Sequence, residues 1–189
     1  MRFVSVGVAA LLPLVLAGCM AAPPSTRAFA PVTAPVSGPA PVAPTPAQLA
    51  GAARAGSCAA PAAVEADVFA RTNRHRAAAG LAPLRPDPAL SAAAQAHACD
   101  MARRSSMTHV GGDGSTLGTR LRRQGYAFAT GAENIARGSP GPAEVVAIWM
   151  GSSGHRSNIL NTRMSEAGLG LALGRDGRPY WAMVYGARR

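Results

Sequence analysis

The fold assignment depends on two segments of the sequence, GAENIA at 131–136 and GHRSNILN at 154–161. They contribute Glu133 and His155, and a third candidate residue, His109, lies upstream. Two imidazoles and one carboxylate form a recognised zinc ligand set that leaves one position open for water or a ligand. Because the three residues lie far apart and show no local ligand signature, they can share a site only if the fold brings them together.

Upstream of these segments, the pattern of apolar residues is helical. Pro61 and Gly80 bound a stretch that predicts a first helix over 62–79. Asp87 is expected to cap a second helix that runs from Pro88 to about residue 104. The apolar stripe of this second helix consists of Leu90, Ala94, His97 and Met101.

The remaining pattern predicts two shorter helices and then a β-hairpin. Ser115 is the expected cap of a third helix that Gly125 ends, and a fourth helix begins after 139–142. The hairpin consists of strands at 167–173 and 179–185, joined by a turn at Asp176-Gly177. Helices followed by an antiparallel hairpin predict an α+β domain built in layers.

The ordered set of motifs along the domain resembles the CAP superfamily (cysteine-rich secretory protein, antigen 5, pathogenesis-related 1; also called SCP domains) in its bacterial branch. The resemblance covers nearly the whole domain, and the set is more specific than any single motif. Its segments are NRHR at 73–76, GLAPL at 80–84, DPAL at 87–90, AQAHA at 94–98, Thr108-His109, 131–136, 154–161, Gly168-Leu169-Gly170 and Tyr180-Trp181.

The resemblance implies a three-layer α-β-α sandwich with a central antiparallel sheet. It also implies a cleft lined by two histidines and two acids, which holds a divalent metal such as zinc in several relatives. His109, Glu133 and His155 match three of these four positions and are the predicted metal ligands. Ser152 stands where animal relatives place the second acid, and Glu166 is the nearest substitute, so we expect both to line the cleft.

Other roles are open for several of these polar residues. Glu133 can brace a backbone segment, with Asn134 in a turn. His75 is expected on a solvated face and His97 in the core. Three serines near His155 raise the alternative of a serine nucleophile, although nothing resembling a nucleophile elbow surrounds them. These serines are Ser152, Ser153 and Ser157.

The N-terminus has the order of a secretory signal, with Arg2, an apolar run and small residues. Leu16-Ala17-Gly18-Cys19 resembles the lipobox of bacterial lipoproteins, so we expect residues 1–18 to be a signal peptide and Cys19 to be acylated. The partner would then be a membrane, with the outer membrane favoured because Met20 is not an aspartate. The alternative is a soluble secreted protein cleaved at an Ala-x-Ala-like site.

Composition separates a tether from the domain. Residues 19–57 are rich in Pro and Ala and lack periodicity, which predicts a disordered tether, and residues 58–189 form the single folded domain. The chain has 19 basic residues, all Arg, against nine acids, for a net charge of +10. With no Arg run longer than Arg122-Arg123 and few aromatics, we expect no nucleic-acid partner. We also expect a monomer.

Cys58 and Cys99 remain as a pair if Cys19 is acylated. An exported chain meets an oxidising compartment, so a disulfide between them is the simplest prediction. The alternatives are a buried free thiol at Cys99 and a catalytic cysteine, for which no neighbouring His motif exists.

Three functions fit these observations. The first is a binding module that engages an envelope lipid, a wall polymer or a protein through its cleft, without catalysis. The alternative is a metal-dependent hydrolase of envelope peptides or esters, in which the metal polarises a water. The third is a structural or signalling role through protein contacts.

Overall fold

The computed structural model describes residues 58–189, so residues 1–57, including the predicted signal peptide, Cys19 and the tether, lie outside the described residues. The described elements follow one another in α+β order. They are α1 (Ala62–Ala78), β1 (Arg85–Pro86), α2 (Pro88–Arg104), α3 (Leu117–Arg123), β2 (Phe128–Arg137), α4 (Pro142–Gly151), α5 (Ser153–Ile159), β3 (Glu166–Leu173) and β4 (Pro179–Arg188).

Local signals account for the ends of the two longest described helices. Asp87 caps α2, because its carboxylate accepts hydrogen bonds of 2.9 and 3.0 Å from two backbone N–H groups of the first turn. Pro61 stands directly before α1, and Gly80 follows it with φ +71°. The first two predicted helices are therefore confirmed almost residue for residue.

The third helix begins at a different cap from the predicted one. Thr116, rather than Ser115, has the extended backbone before Leu117, and its hydroxyl accepts a hydrogen bond from the backbone N–H of Thr119 at 3.3 Å. The prediction of Ser115 as the cap is wrong by one position in a run of two hydroxyl residues. The fourth predicted helix is confirmed as α4.

A four-stranded sheet with the order β1-β3-β4-β2 forms the middle layer. The β3–β4 and β4–β2 pairs are antiparallel, and the short β1 pairs with β3 in parallel at the edge. The predicted hairpin is confirmed, with Gly177 at φ +72° in its turn.

The sequence pattern did not predict β2, which forms the other edge of the sheet. One of the alternatives for this segment placed Asn134 in a turn, but Asn134 lies inside β2 and pairs with Met183 of β4. That alternative is wrong because the partner strand lies about fifty positions away in the chain, and this pairing stabilises a segment that has no alternating pattern of its own.

Side chains on opposite faces of the sheet belong to two separate cores. In β4, odd-numbered residues from Trp181 to Tyr185 pack in one core with α1 and α4. Even-numbered residues from Tyr180 to Val184 pack in the other core with α2. This period of two gives three layers, which confirms the predicted α-β-α sandwich.

A disulfide joins Cys58 to Cys99 of α2, with Cα atoms 5.6 Å apart, and confirms the predicted pairing. Closing a loop of this length stabilises a domain by about 3 to 4 kcal/mol in the chain-entropy model. Within 58–189, no helix combines the length and the apolar character that crossing a bilayer requires.

Candidate functional site

Glu133 is the centre of a polar network on the α2 side of the sheet. It pairs with Val184, which belongs to the core on that side, and the residue is 7% exposed. One carboxylate oxygen accepts a hydrogen bond from His109 Nδ1 at 2.8 Å, and the other accepts one from Arg120 Nη2 at 2.7 Å. Both oxygens therefore have partners, as a buried carboxylate requires.

His97 and Arg120 belong to this network but are absent from the predicted site residues. His97 Nε2 donates a 2.8 Å hydrogen bond to the carbonyl of Thr108 and lies 3.7 Å from Glu133 Oε1. The expectation that His97 lies in the core is confirmed, since the residue is 1% exposed. In the sequence, His97 stands out by its place on the apolar stripe of α2 and in the AQAHA motif. Arg120 carries no signal beyond its position beside the apolar Leu121.

The charges in the network favour an ionised Glu133. Burial raises the pKa of Glu133, but the hydrogen bond from His109 and the positive charge of Arg120 lower it by more, so its pKa lies below the usual range. The hydrogen bond to Glu133 raises the pKa of His109 despite partial burial. By contrast, burial lowers the pKa of His97, which keeps this ring neutral.

The two quoted segments meet through asparagine side chains. Asn158 Nδ2 of α5 donates to Asn134 Oδ1 at 2.9 Å and to the carbonyl of Glu133 at 3.4 Å. Asn134 Nδ2 donates in return to the carbonyl of His155 at 3.1 Å. These bonds hold α5 against the edge strand β2, which explains why both segments are needed to build one site.

His155 lies on α5, where its carbonyl accepts the hydrogen bond from Asn134, the residue after Glu133. Burial lowers the pKa of His155, and the charge of His109 lowers it further. Nδ1 of His155 is buried and has no hydrogen-bond partner among residues 58–189. The asparagine bonds thus place the backbone of His155 near that of Glu133, whose side chain binds His109, and a shared cleft of the three residues stays a prediction.

Ser152 and Glu166, the other two predicted cleft residues, have different surroundings. Ser152 lies between α4 and α5, and its backbone N–H donates to the carbonyl of Trp149 at 3.3 Å. Glu166 begins β3, accepts a 2.6 Å hydrogen bond from the Tyr126 hydroxyl and lies 3.5 Å from Arg188 Nε. Glu166 therefore belongs to a cluster with Tyr126 and Arg188, on a strand that lies two positions away from the strand of Glu133 in the sheet.

The atoms of this site that are available as metal ligands are imidazole nitrogens rather than the carboxylate oxygens of Glu133. Within 58–189, no three His, Cys, Asp or Glu side chains are arranged to hold a metal ion. Both oxygens of Glu133 are hydrogen-bonded, and its bond to His109 Nδ1 leaves Nε2 as the free ring nitrogen. A carboxylate behind an imidazole commonly orients a metal ligand in this way. Zinc binding stays a prediction.

The fold is that of a known family. Residues 69–185 match the CAP family model, described as the cysteine-rich secretory protein family. This match covers more than half of the chain, so the chain belongs to the CAP family.

Two curated relatives from Bacillus subtilis (strain 168) share the matched region. YkwD is 38% identical over 108 residues, which are 57% of this chain and 42% of YkwD. YlbC, described as a membrane protein, is 33% identical over 108 residues, which are 57% of this chain and 31% of YlbC. The chain therefore spans less than half of the length of either relative.

Solved structures share the fold. An extracellular SCP-domain protein from Bacillus anthracis is 26% identical with a TM-score of 0.61, covering 81% of this chain and 45% of that protein. An outer surface protein from Borrelia burgdorferi has a TM-score of 0.60 at 22% identity, covering 65% of this chain and 90% of that protein. At that identity, the second likeness supports the fold alone.

Proposed function

We propose that this protein is an exported CAP-domain protein whose cleft at His109, Glu133 and His155 binds an envelope ligand without catalysing its turnover. The observation that carries the proposal is the state of Glu133. A general base works best when its pKa lies near the operating pH. The pKa of Glu133 is lowered instead, and both of its oxygens already accept hydrogen bonds.

Glu133 therefore acts as a fixed anchor for His109 rather than as a proton acceptor. The side chain of His109 is 58% exposed, so its free ring nitrogen is accessible to a ligand. His155 supplies a second imidazole on the neighbouring helix. A lipid head group, a wall polymer or a protein segment can exchange hydrogen bonds with such a pair of rings.

The contacts of Ser157 and of the two cysteines support binding over covalent catalysis. Ser157 Oγ donates to the carbonyl of Gly154 at 2.7 Å, which is a helix-internal contact rather than a bond to an imidazole. Cys58 and Cys99 are joined to each other. Nucleophilic catalysis requires a nucleophile within hydrogen-bond reach of its base.

Export supports an envelope ligand. The Bacillus anthracis relative is named as an extracellular protein, and the sequence around Cys19 resembles a lipobox. Cys19→Ala is expected to abolish acyl labelling and to release the protein from membranes into the soluble fraction. A variant that stays membrane-bound would contradict lipid anchoring but would leave the cleft proposal intact.

The ligand test uses protein purified from its native membranes and analysed by native mass spectrometry. The wild-type protein should carry a bound envelope component that His155→Ala loses. His75→Ala is the matched control, because His75 is exposed on α1 and has no contact with the network. Equal loss in both variants, or turnover of the component by the wild-type protein, would contradict the binding proposal.

The hydrogen bond between Glu133 and His109 favours one second candidate, a metal-dependent hydrolase. His109 and His155 would hold the ion, and a bound zinc ion would supply Lewis acidity for hydrolysis of an envelope peptide or ester. Glu133 would orient the His109 ring. Calorimetric zinc titration tests the ion, and hydrolysis that both histidine-to-alanine changes abolish would favour this candidate.

A further inference from the structure

A groove lies between α1 and α4, away from the Glu133 network. Its volume is about 170 Å³. Arg71 and Arg74 of α1 line one wall, and Ala147 and Met150 of α4 line the other. Both helices pack on the face of the sheet opposite the one that carries Glu133. The groove is therefore separate from the network described above.

The wall formed by α1 is cationic. Arg71 and Arg74 are three positions apart, so they lie on the same face of the helix. Arg71 Nε donates to Asp67 at 2.9 Å, and Asp67 is 3% exposed. This buried carboxylate holds the Arg71 side chain in place, while the two terminal nitrogens of Arg71 have no partner within 58–189.

Arg74 adds a positive charge that no acid in the described part of the chain neutralises. It is exposed and forms no ion pair among those residues. None of the side chains that line the groove is acidic, and Glu144, the single acid of α4, is not among them. His75 also lines the α1 wall, but the argument rests on the two arginines. An anion can therefore enter without displacing a carboxylate from either arginine.

The wall formed by α4 is apolar and open to solvent. Ala147 is exposed, Met150 is partly exposed, and the buried Val146 completes the lining. Ile148 follows Ala147 on the same helix and is 52% exposed. Apolar side chains beside arginines are typical of surfaces that lie in the interface between lipid head groups and acyl chains.

We propose that this groove binds the phosphate head group of an anionic membrane phospholipid and seats the domain on the bilayer through α1 and α4. The terminal nitrogens of Arg71 and the guanidinium of Arg74 donate to the phosphate oxygens, a geometry for which arginine is well suited. Ile148 and the apolar wall contact the upper part of the acyl chains. Each wall of the groove thus matches one part of the same amphiphile.

A soluble anion matches this groove less well than a lipid. Free phosphate can satisfy the arginines, but it leaves Ala147, Met150 and Ile148 in water, and only an amphiphile also removes apolar surface from water. Seating through α1 and α4 turns the opposite face of the sheet, with Glu133, away from the bilayer. The inference depends neither on the ligand proposed for the cleft nor on acylation of Cys19.

The test is tryptophan quenching on the full exported protein. The vesicles are phosphatidylcholine with or without phosphatidylglycerol, brominated near the top of the acyl chains. Ile148→Trp supplies the reporter, and the native Trp149 and Trp181 are fully buried. The reporter should be quenched on the anionic vesicles and not on the neutral ones. An acyl anchor would insert into both kinds of vesicle, so anchoring alone cannot produce this difference.

Variants of the reporter protein decide whether the groove is responsible. Arg74→Glu should lose most of the quenching on anionic vesicles. Arg175→Glu is the matched control, because it changes the net charge equally at an exposed arginine between β3 and β4, and it should retain the quenching. Ala147→Glu, from the opposite wall, repeats the test if Arg74→Glu melts well below Arg175→Glu in circular dichroism.

Four outcomes overturn the proposal. The first is no quenching on anionic vesicles or equal quenching on neutral ones. The second is quenching that survives a folded groove variant. The third is an equal loss in Arg74→Glu and Arg175→Glu, which indicates attraction by overall charge. The fourth is a change of reporter fluorescence with inorganic phosphate that Arg74→Glu removes, without quenching by vesicles, which indicates a soluble anion.

Discussion

The two faces of the sheet carry different kinds of side chains. The face toward α2 combines close-packed alanines, large side chains such as Tyr126 and Tyr180, and the charged network. The face toward α1 and α4 is centred on two tryptophans and also holds the buried Arg76. Gly168 and Gly170 of β3 lie so close to α2 that a Cβ atom on either would overlap the backbone at Ser91 or Ala94.

On the opposite face, two tryptophans dominate the core. Trp149 and Trp181 are fully buried, and their indole N–H groups donate to the carbonyls of Ile135 at 3.3 Å and Ser139 at 3.0 Å. Each ring therefore fills volume and also satisfies its one polar group, as buried tryptophans generally do.

The difference shows how the fold separates stability from chemistry. Close approach of α2 to β3 through glycine and alanine brings the backbone of α2 near the sheet, which places His97 within 3.7 Å of Glu133. Loss of volume should therefore be most harmful on the bulky face, and gain of volume on the close-packed face.

The largest expected effect is on the bulky face. Trp181→Ala should lower the free energy of unfolding by about 3 to 5 kcal/mol, because it creates a cavity and removes a hydrogen-bond donor from the Ser139 carbonyl. Urea unfolding followed by circular dichroism measures the change. Leu173→Ala is the control, since Leu173 is 42% exposed, and an equal loss in both variants would contradict the argument.

A smaller effect is expected on the close-packed face. Gly170→Ala adds one methyl group against the α2 backbone and should lower the free energy of unfolding by about 1 to 3 kcal/mol through overpacking. Gly151→Ala is the control, because nothing lies within 4 Å of the added Cβ atom at the end of α4. Unchanged urea midpoints for Gly170→Ala would contradict the close packing of α2 on β3.

The smallest effect is a pH dependence that belongs to the charged face. The raised pKa of His109 means that its pairing with Glu133 stabilises the fold fully below about pH 6.5 and is lost as pH rises through the raised value. The lowered pKa of Glu133 means that its contribution is present above about pH 4.5 and is lost as pH falls through the lowered value.

His109→Ala should therefore lower the free energy of unfolding most between about pH 4.5 and 6.5. The loss should be less than about 1 kcal/mol, because His109 is largely exposed. Urea unfolding with a chelator present, compared with His75→Ala across the pH range, measures this difference. His97 also titrates, and its effect on stability has the opposite sign because burial lowers its pKa. Since both variants retain His97, the difference between them removes most of this effect. A difference that is constant with pH would rule out the pairing.

Several features of the fold were predictable because their causes are local. Asp87 and Pro88 mark the start of α2 through capping, and Asp176-Gly177 marks the hairpin through turn chemistry. The Cys58–Cys99 pairing followed from counting cysteines in a chain predicted to be exported. The site residues His109, Glu133 and His155 were named from their resemblance to CAP motifs, not from spacing.

The remaining features depend on contacts between distant segments. By itself the sequence determined the order of helices, the hairpin and the motifs, since each is encoded within a few consecutive residues. Only the tertiary structure decided that 128–137 is a strand, because its stability comes from pairing with β4. It also decided that His97 and Arg120 surround Glu133, since a buried carboxylate takes its partners from whichever helices the packing brings near, and no local pattern records that choice.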